Sequence, residues 1–379
     1  MTARPGSRSY GVADENKQAQ SVLDRLVNAG QELGLQVAAY LGGQLVIDAW
    51  AGLADEPSGR PVDGNTLFTA FSISKGITAT CIHVLADRGL VEYDAPIAAY
   101  WPEFAARGKA KATVRHALAH RVGIPQDPPG FDLSMAGDWN AVARATAELE
   151  PLWEPGTRTG YHPLTYGWML GEVIRRVDGR SIAQFLQDEV CRPLEIDGMY
   201  FGIPPEAEPL VATLKNATER GIPGTTMNPS LSDPAGAFNR PEVRRAVIPG
   251  AGALVNARSL ARHYAVLAMG GELGGVRLMS RDRIAAAGVP EFEGPDPILS
   301  PIFGGEYRWT LGYTLGGSPG PMAKHPNAIG YAGIGTIGFA DPSREFAFAI
   351  LKNLLDVSPS EMDSATSIVR EVEDALGIA

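Results

Sequence analysis

The chain has only two cysteines, Cys81 and Cys191, in 379 residues. Both stand in apolar helical contexts, and we read them as small packed hydrophobes rather than as a disulfide. Positive charge is also scarce. The 33 Lys and Arg stand against 43 Asp and Glu, a formal net charge of −10. Nothing concentrates cations against phosphates, so nucleic acid is not an expected partner. No apolar run reaches the roughly 18 residues that mark a membrane span, so no membrane partner is expected either. The opening Met1-Thr2-Ala3-Arg4-Pro5-Gly6-Ser7-Arg8 is not followed by the apolar stretch of a secretory signal, and we expect a soluble, cytoplasmic protein. No 20–50-residue repeat is present.

Two familiar patterns occur without their context. Gly333-Ile334-Gly335-Thr336-Ile337-Gly338 has the spacing of a dinucleotide loop, but it leads into Phe339-Ala340-Asp341-Pro342 and another apolar run, not a helix. A hairpin is the better reading. His116 and His120 have the i, i+4 spacing of two zinc ligands, but Ala117 stands where a metalloprotease needs Glu, and no third ligand cluster follows. We read both as structural or surface histidines, assign no role to His83, His263 or His325, and expect neither metal nor organic cofactor. No Gly-x-Ser-x-Gly elbow exists, which argues against an ordinary α/β-hydrolase.

What the chain does have is a hydrophobic fraction of 45% with 20% charged residues, enough for a large core and two or three structural units. Residues 14–31 carry Val22, Leu23, Leu26 and Val27 at helical period. Apolar runs 35–41 and 45–50 flank Gly42-Gly43, the pattern of a β-hairpin. From about 95 to 245 strand patterns are scarce, and helices are expected over 114–118, 139–149, 164–177 and 182–190 between Pro-rich loops 123–132 and 202–209. Loop 216–241 returns the chain. After a helix at 259–269, strand-like runs resume at 307–313, 335–340 and 345–351, and a helix covers 360–376. The expectation is an α/β fold of the α+β type: an antiparallel sheet from both ends of the chain, flanked by helices. Residues 1–95 with 246–379 would form this domain, and 96–245 a mostly helical insert.

The stretch that organises these pieces is Phe71-Ser72-Ile73-Ser74-Lys75-Gly76. An extended run, 67–71, meets a helix whose apolar positions recur at Ile73, Ile77, Cys81, Val84 and Leu85 and stop at Gly89. Ser72 and Lys75, three apart, share one helix face. In the first turn the Ser72 N–H lacks an intrahelical partner and is free to bind a developing oxyanion. This is the local form of a Ser-x-x-Lys nucleophile, the only one in the chain.

Further along, Trp153-Glu154-Pro155-Gly156-Thr157-Arg158-Thr159-Gly160-Tyr161-His162-Pro163 presents a tyrosine just before a helix. Taken with 71–75, 113–120 and Ile248-Pro249-Gly250-Ala251-Gly252, the chain resembles the serine β-lactamase and penicillin-binding-protein superfamily. Within it the chain is most similar to class C β-lactamases and family VIII carboxylesterases, in consistent order over about residues 15–375. The resemblance implies the two-part fold just described. It implies Tyr161 as general base, its phenol acidified by Lys75, since an ordinary phenol near pKa 10 needs a cation beside it.

Two positions depart from the family. Pro163 replaces the Asn of the Tyr-x-Asn motif, which orients a lactam amide; Pro163 also reads as the first residue of the following helix. Tyr331-Ala332-Gly333 is the best match to Lys-Thr-Gly, so no lysine is there to hold a carboxylate. Lys324 and His325 precede it out of register. The resemblance places Tyr331 and Gly333 at the substrate, and the Ile334 N–H as second oxyanion donor beside that of Ser72. It implies a serine carboxylesterase acting on a small-molecule ester through an acyl-Ser72 intermediate. Acyl transfer to an alcohol or amine would use the same intermediate. β-Lactamase or D-amino-acid peptidase activity fits Pro163 and Tyr331 less well, and a non-catalytic binding protein does not need the retained Ser72, Lys75 and Tyr161. The sequence assigns no oligomeric state.

Overall fold

A computed structural model describes residues 12–217, 228–317, 322–355 and 359–377. The opening residues 1–8 and the middle of loop 216–241 lie outside the described residues. The hairpin around Gly42-Gly43 forms from strands Gly34–Leu41 and Gln44–Asp55. Both glycines hold positive φ, 55° and 76°, the two-residue turn whose twist matches its strands. On its other side Gly34–Leu41 pairs with Phe346–Lys352, so residues from the two ends of the chain lie side by side. The full antiparallel sheet has nine strands among the described residues. Their order is Phe292–Gly294, Tyr307–Trp309, Thr314–Leu315, Ile329–Ala332, Ile337–Asp341, Phe346–Lys352, Gly34–Leu41, Gln44–Asp55, Arg60–Pro61.

Alternation along these strands makes two cores. Leu35, Val37, Ala39, Phe346, Phe348 and Ile350 pack on one face with Val22, Leu23 and Leu26 of helix Val12–Asn28 and Ile368, Val369 and Val372 of helix Pro359–Leu376. The opposite face carries Ala38, Ala340, Ala347 and Ala349, against Leu260, Ala261, Tyr264 and Leu267 of helix Ala257–Ala268. Small side chains let this helix come close: a Cβ on Gly338 would stand 2.5 Å from the Tyr264 ring.

Helix Ile73–Asp87 lies deeper still. It is buried without a break from Ile73 to Ala86, where the sequence pattern suggests one apolar stripe. A helix enclosed on all sides must satisfy its polar groups internally. Thr78 donates to the Pro249 carbonyl at 2.9 Å, and the Thr80 hydroxyl bonds His263 at 2.9 Å and Tyr313 at 2.8 Å.

Among the described residues, 96–245 contribute no strand to the large sheet. Two short pairings nevertheless cross the expected boundaries. Met199–Phe201 pairs with Ala253–Val255, which pairs in turn with Phe68–Thr69, and Lys215–Asn216 runs parallel to Leu354–Leu355. Two expected elements differ. The run 307–313 is a strand only over Tyr307–Trp309, because Gly312, at φ 95°, turns the chain back into Thr314–Leu315. Helix 182–190 is α only over Ile182–Leu186 and widens to a π turn over Gln187–Cys191. Cys81 and Cys191 are buried free thiols. No helix among the described residues is long and apolar enough to cross a membrane.

Candidate active site

Strand Phe68–Thr69 is held against Ala253–Val255, and the Ala70 N–H extends that pairing to Ala253 at 2.8 Å. The chain then turns sharply at Phe71, whose φ of 46° is left-handed, a conformation costing a non-glycine residue roughly 1–2 kcal/mol. Packing offsets this, with the Phe71 ring edge-on to Phe238 at 5.3 Å. The turn places Ser72 at the N-cap of helix Ile73–Asp87, half-buried, its hydroxyl making no capping bond. That hydroxyl instead meets Lys75 and Tyr161.

Lys75 is fully buried, and its Nζ lies 3.3 Å from Ser72 Oγ, 2.8 Å from the Pro163 carbonyl and 2.7 Å from the Gly250 carbonyl. Glycines bring those carbonyls in. A Cβ on Gly250 would stand 2.8 Å from the Pro163 oxygen, and one on Gly167 only 2.1 Å from the Gly250 nitrogen. Pro163 is therefore not the first residue of its helix, which runs Thr165–Asp178 with Leu164 as N-cap. Its carbonyl holds Lys75 instead. No carboxylate pairs with Lys75 among the described residues, and burial pushes it well below the ordinary lysine value.

The Tyr161 hydroxyl donates to Ser72 Oγ in a short hydrogen bond. The expected acidified phenol is not what the structure shows. Burial pushes Tyr161 above the ordinary tyrosine value; the Ser72 hydrogen bond pulls it down, and Asp296 and Tyr307 push it further up. Lys75 Nζ lies over the ring, 4.5 Å from the centroid, and its hydrogen bond goes to Ser72 Oγ. A cation over a ring face contacts the quadrupole, not the oxygen whose charge it would have to stabilise.

Gly333 follows strand Ile329–Ala332 and lies directly against the turn that carries Ser72. A Cβ there would meet Thr336 Oγ1 at 2.5 Å, the Ala70 carbonyl at 2.8 Å and Phe71 Cβ at 3.0 Å. Thr336 Oγ1 also donates to the Ala70 carbonyl at 3.0 Å, and the Gly333 N–H to Thr336 at 2.7 Å, so Gly333 to Thr336 form the turn of a hairpin. Ile334 packs in one cluster with Phe71. Neither the Ser72 nor the Ile334 N–H has an acceptor among the described residues. Tyr331 differs from its expected place at the substrate. It is 2% exposed, and its hydroxyl is committed to His120 Nε2 at 2.8 Å.

His120, set aside on spacing alone, lies in this assembly as a structural residue. It is buried at φ 58°, accepts the His162 N–H on Nδ1 at 3.1 Å, and sits 4.8 Å from the Tyr161 ring. Burial pushes it well below the ordinary histidine value, with His162 and Lys75 acting in the same direction, so it is a neutral imidazole. His162 in turn accepts the Gly123 and Ile124 N–H groups on Nε2. His116 completes a capping box with Thr113. No group of His, Cys, Asp and Glu suited to a metal occurs among the described residues. Sequence reading missed Asp296 and Trp309. Asp296 is a buried carboxylate that accepts from the Tyr161 N–H and from Trp309 Nε1, and Trp309 stacks on the Tyr161 ring. Neither stands in a motif; only spatial proximity reveals them.

A serine at a helix N-terminus, contacted by a buried lysine and a phenol, is the arrangement of an acyl-transferring serine hydrolase. Residues 19–371 match the Beta-lactamase family, and the chain belongs to it: it is a serine hydrolase of the β-lactamase fold. It is 31% identical over 388 residues to "Esterase/beta-lactamase LipL" of Mycobacterium tuberculosis, covering 96% of this chain and 87% of that protein. Among solved structures, a family VIII carboxylesterase superposes with a TM-score of 0.84 at 30% identity, covering 94% of this chain and 97% of that one. A penicillin-binding-protein homolog from Caulobacter crescentus gives 0.82 at 31% identity, covering 94% and 98%.

Proposed function

We propose that the protein is a serine carboxylesterase that hydrolyses small neutral carboxylic esters through an acyl-Ser72 intermediate. The observation that carries the reading is Ser72 Oγ held between Lys75 Nζ, at 3.3 Å, and the Tyr161 hydroxyl. Kinship with proteins named as esterases supports it. A neutral Lys75 amine donates its two N–H groups to the Pro163 and Gly250 carbonyls and turns its lone pair to the Ser72 hydroxyl. The general base is then Lys75, with Tyr161 as its relay. Ser72 Oγ attacks the ester carbonyl as its proton passes to Lys75. The Ser72 and Ile334 N–H groups receive the oxyanion, a contribution of roughly 10²–10³ in rate per donor. The C–O bond of the alcohol breaks, its alkoxide takes the Tyr161 proton, and the incoming water relays the proton held on Lys75 to the phenolate. Water then attacks the acyl-enzyme, giving a proton back by the same route and releasing the carboxylic acid.

Tyr331 in place of a lysine leaves no cation to hold a substrate carboxylate, which favours neutral esters over lactams and peptides. An alcohol that outcompetes water for the acyl-enzyme would be acylated by the same steps. The two buried free thiols agree with a reducing, cytoplasmic setting. Hydrolysis of p-nitrophenyl butyrate and labelling by a fluorophosphonate test the reading. Both are expected in the wild type and lost in Ser72→Ala. Wild-type turnover in that variant, or nitrocefin turnover matching ester turnover, would overturn it.

A further inference from the structure

Tyr161 lies between Gly160 and Leu164 in a stretch with no regular secondary structure. Nothing in its own backbone therefore fixes the direction of its ring. Contacts from elsewhere in the chain do, and two of them, from a distant segment, lead to one side chain. Asp296, 0% exposed, accepts the Tyr161 N–H on Oδ1 at 3.2 Å and the Trp309 indole N–H on Oδ2 at 3.1 Å. The Trp309 ring lies 5.6 Å from the Tyr161 ring at 20° and 5.6 Å from Tyr307 at 9°, so the indole stacks with both phenols.

We infer that Asp296 is the positioning residue that aims the Tyr161 phenol at Ser72, gripping the tyrosine by its backbone and, through Trp309, by its ring. The inference rests on the esterase reading of the Ser72 site.

The bland account is that Asp296 closes its own loop. Part of its bonding does so, since Oδ1 also accepts the Ile298 and Leu299 N–H groups at 2.9 and 3.0 Å. Loop closure needs only those two bonds and leaves Oδ2 to water. The observed carboxylate is instead withdrawn from solvent, a step that costs several kcal/mol unless its oxygens are filled. Its remaining partners come from residues 135 and 13 positions away in the chain. Both act on Tyr161. A clamp from two directions restricts translation and ring tilt together, which matters because a misplacement of about 1 Å can cost roughly 100-fold in rate.

The test uses the whole protein and two readouts, ethyl butyrate kinetics and the rate of fluorophosphonate labelling at Ser72. Asp296→Asn keeps an oxygen for the backbone N–H groups but sets an amide N–H against the Trp309 indole N–H. It is expected to lower kcat about 10–100-fold with KM within about twofold, and to slow labelling by a smaller factor, since fluoride leaves without a proton but Ser72 Oγ loses the hydrogen bond of the aimed phenol. Combined with Tyr161→Phe, it is expected to be no slower than Tyr161→Phe alone, since the phenol it aims is gone. Trp309→Phe keeps a stacked ring without the indole N–H. It should show a smaller loss that does not add to that of Asp296→Asn, and it carries the same test should Asp296→Asn fold poorly. A wild-type kcat in Asp296→Asn and Trp309→Phe, or losses that multiply with Tyr161→Phe, overturn the inference. A wild type that labels at Ser72 yet hydrolyses no ester overturns the esterase reading alone, and the labelling rates still decide the role of Asp296.

Discussion

Lys75 Nζ stands over the face of the Tyr161 ring, 4.5 Å from its centroid, while its own polar contacts are Ser72 Oγ and two backbone carbonyls. This geometry separates the two residues chemically. Burial makes the amine a weaker base than an ordinary lysine and holds it close to the Ser72 hydroxyl, whereas the phenol is raised and stays protonated until a leaving group calls on it.

Acylation should therefore follow the neutral form of Lys75. Its value is pushed well below that of an ordinary lysine by burial, so kcat/KM is expected to rise with pH and level off well below the usual lysine value of about 10.4. Tyr161 is pushed up, so its phenol stays protonated throughout that range. A pH–rate profile on p-nitrophenyl butyrate checks both. An ascending limb at the ordinary lysine value would remove Lys75 as the base. Lys75→Met is expected to lose roughly 10²–10⁴ in kcat.

If the phenol delivers a proton to the departing alkoxide, the cost of removing it depends on the leaving group. Tyr161→Phe should slow ethyl butyrate by roughly 10²–10⁴, and p-nitrophenyl butyrate distinctly less, because nitrophenolate leaves without a proton. The comparison needs only two substrates and one variant. Equal losses on both would assign the phenol to the attack step instead.

Gly333→Ala tests the strand edge of the oxyanion site. The new Cβ would fall 2.5 Å from Thr336 Oγ1 and 2.8 Å from the Ala70 carbonyl, so the hairpin must move away from the Ser72 turn. Losing one donor costs roughly 10²–10³ in kcat. We expect that loss in steady-state turnover, with cooperative unfolding preserved. Unchanged turnover would mean that Ile334 does not supply a donor.

Far from the nucleophile, His325 is buried between Asp341, at 2.8 Å from Nδ1, and Glu373 of helix Pro359–Leu376, with Lys324 and Arg344 beside the same carboxylates. Burial pulls His325 down, but the bonds to Asp341 and Glu373 outweigh it and raise the imidazole above its ordinary value. Burial likewise raises Asp341, and the bonds from His325 and Ser343 bring it below its ordinary value. The His325 contribution to stability is thus complete below about pH 6.5 and fades as pH climbs through its folded value. The Asp341 contribution is complete above about pH 4 and fades as pH falls through its own folded value. Thermal stability is expected to peak between these limits, and His325→Gln to flatten the upper flank. An unaltered flank in that variant would show that His325 does not titrate there.

Much of this architecture can be read along the chain because its cause is local. The Gly42-Gly43 hairpin follows from two positive-φ residues between apolar runs, and helix Val114–Leu118 from a cap and its period. The Ser72 and Lys75 pairing follows from helical geometry alone. Elements with a tertiary cause were less legible. Ala253–Val255 is three buried residues whose strand character comes from partners on both sides. The run 307–313 has strand composition, yet Gly312 bends it where a Cβ would meet Ala79 at 2.4 Å.

The sequence by itself determined which residues are candidates for the proposed chemistry, since a serine and a lysine three apart on a helix must share a face, and Tyr161 follows in the order that the family resemblance supplies. Only the tertiary structure decided what those residues are chemically. Burial of Lys75 against two carbonyls, the raised phenol, the withdrawal of Tyr331 to His120, and the Asp296 clamp all depend on which groups lose water and which groups meet. Desolvation and long-range contact have no signature in the spacing of residues. The charge state of the site is therefore a property of the fold.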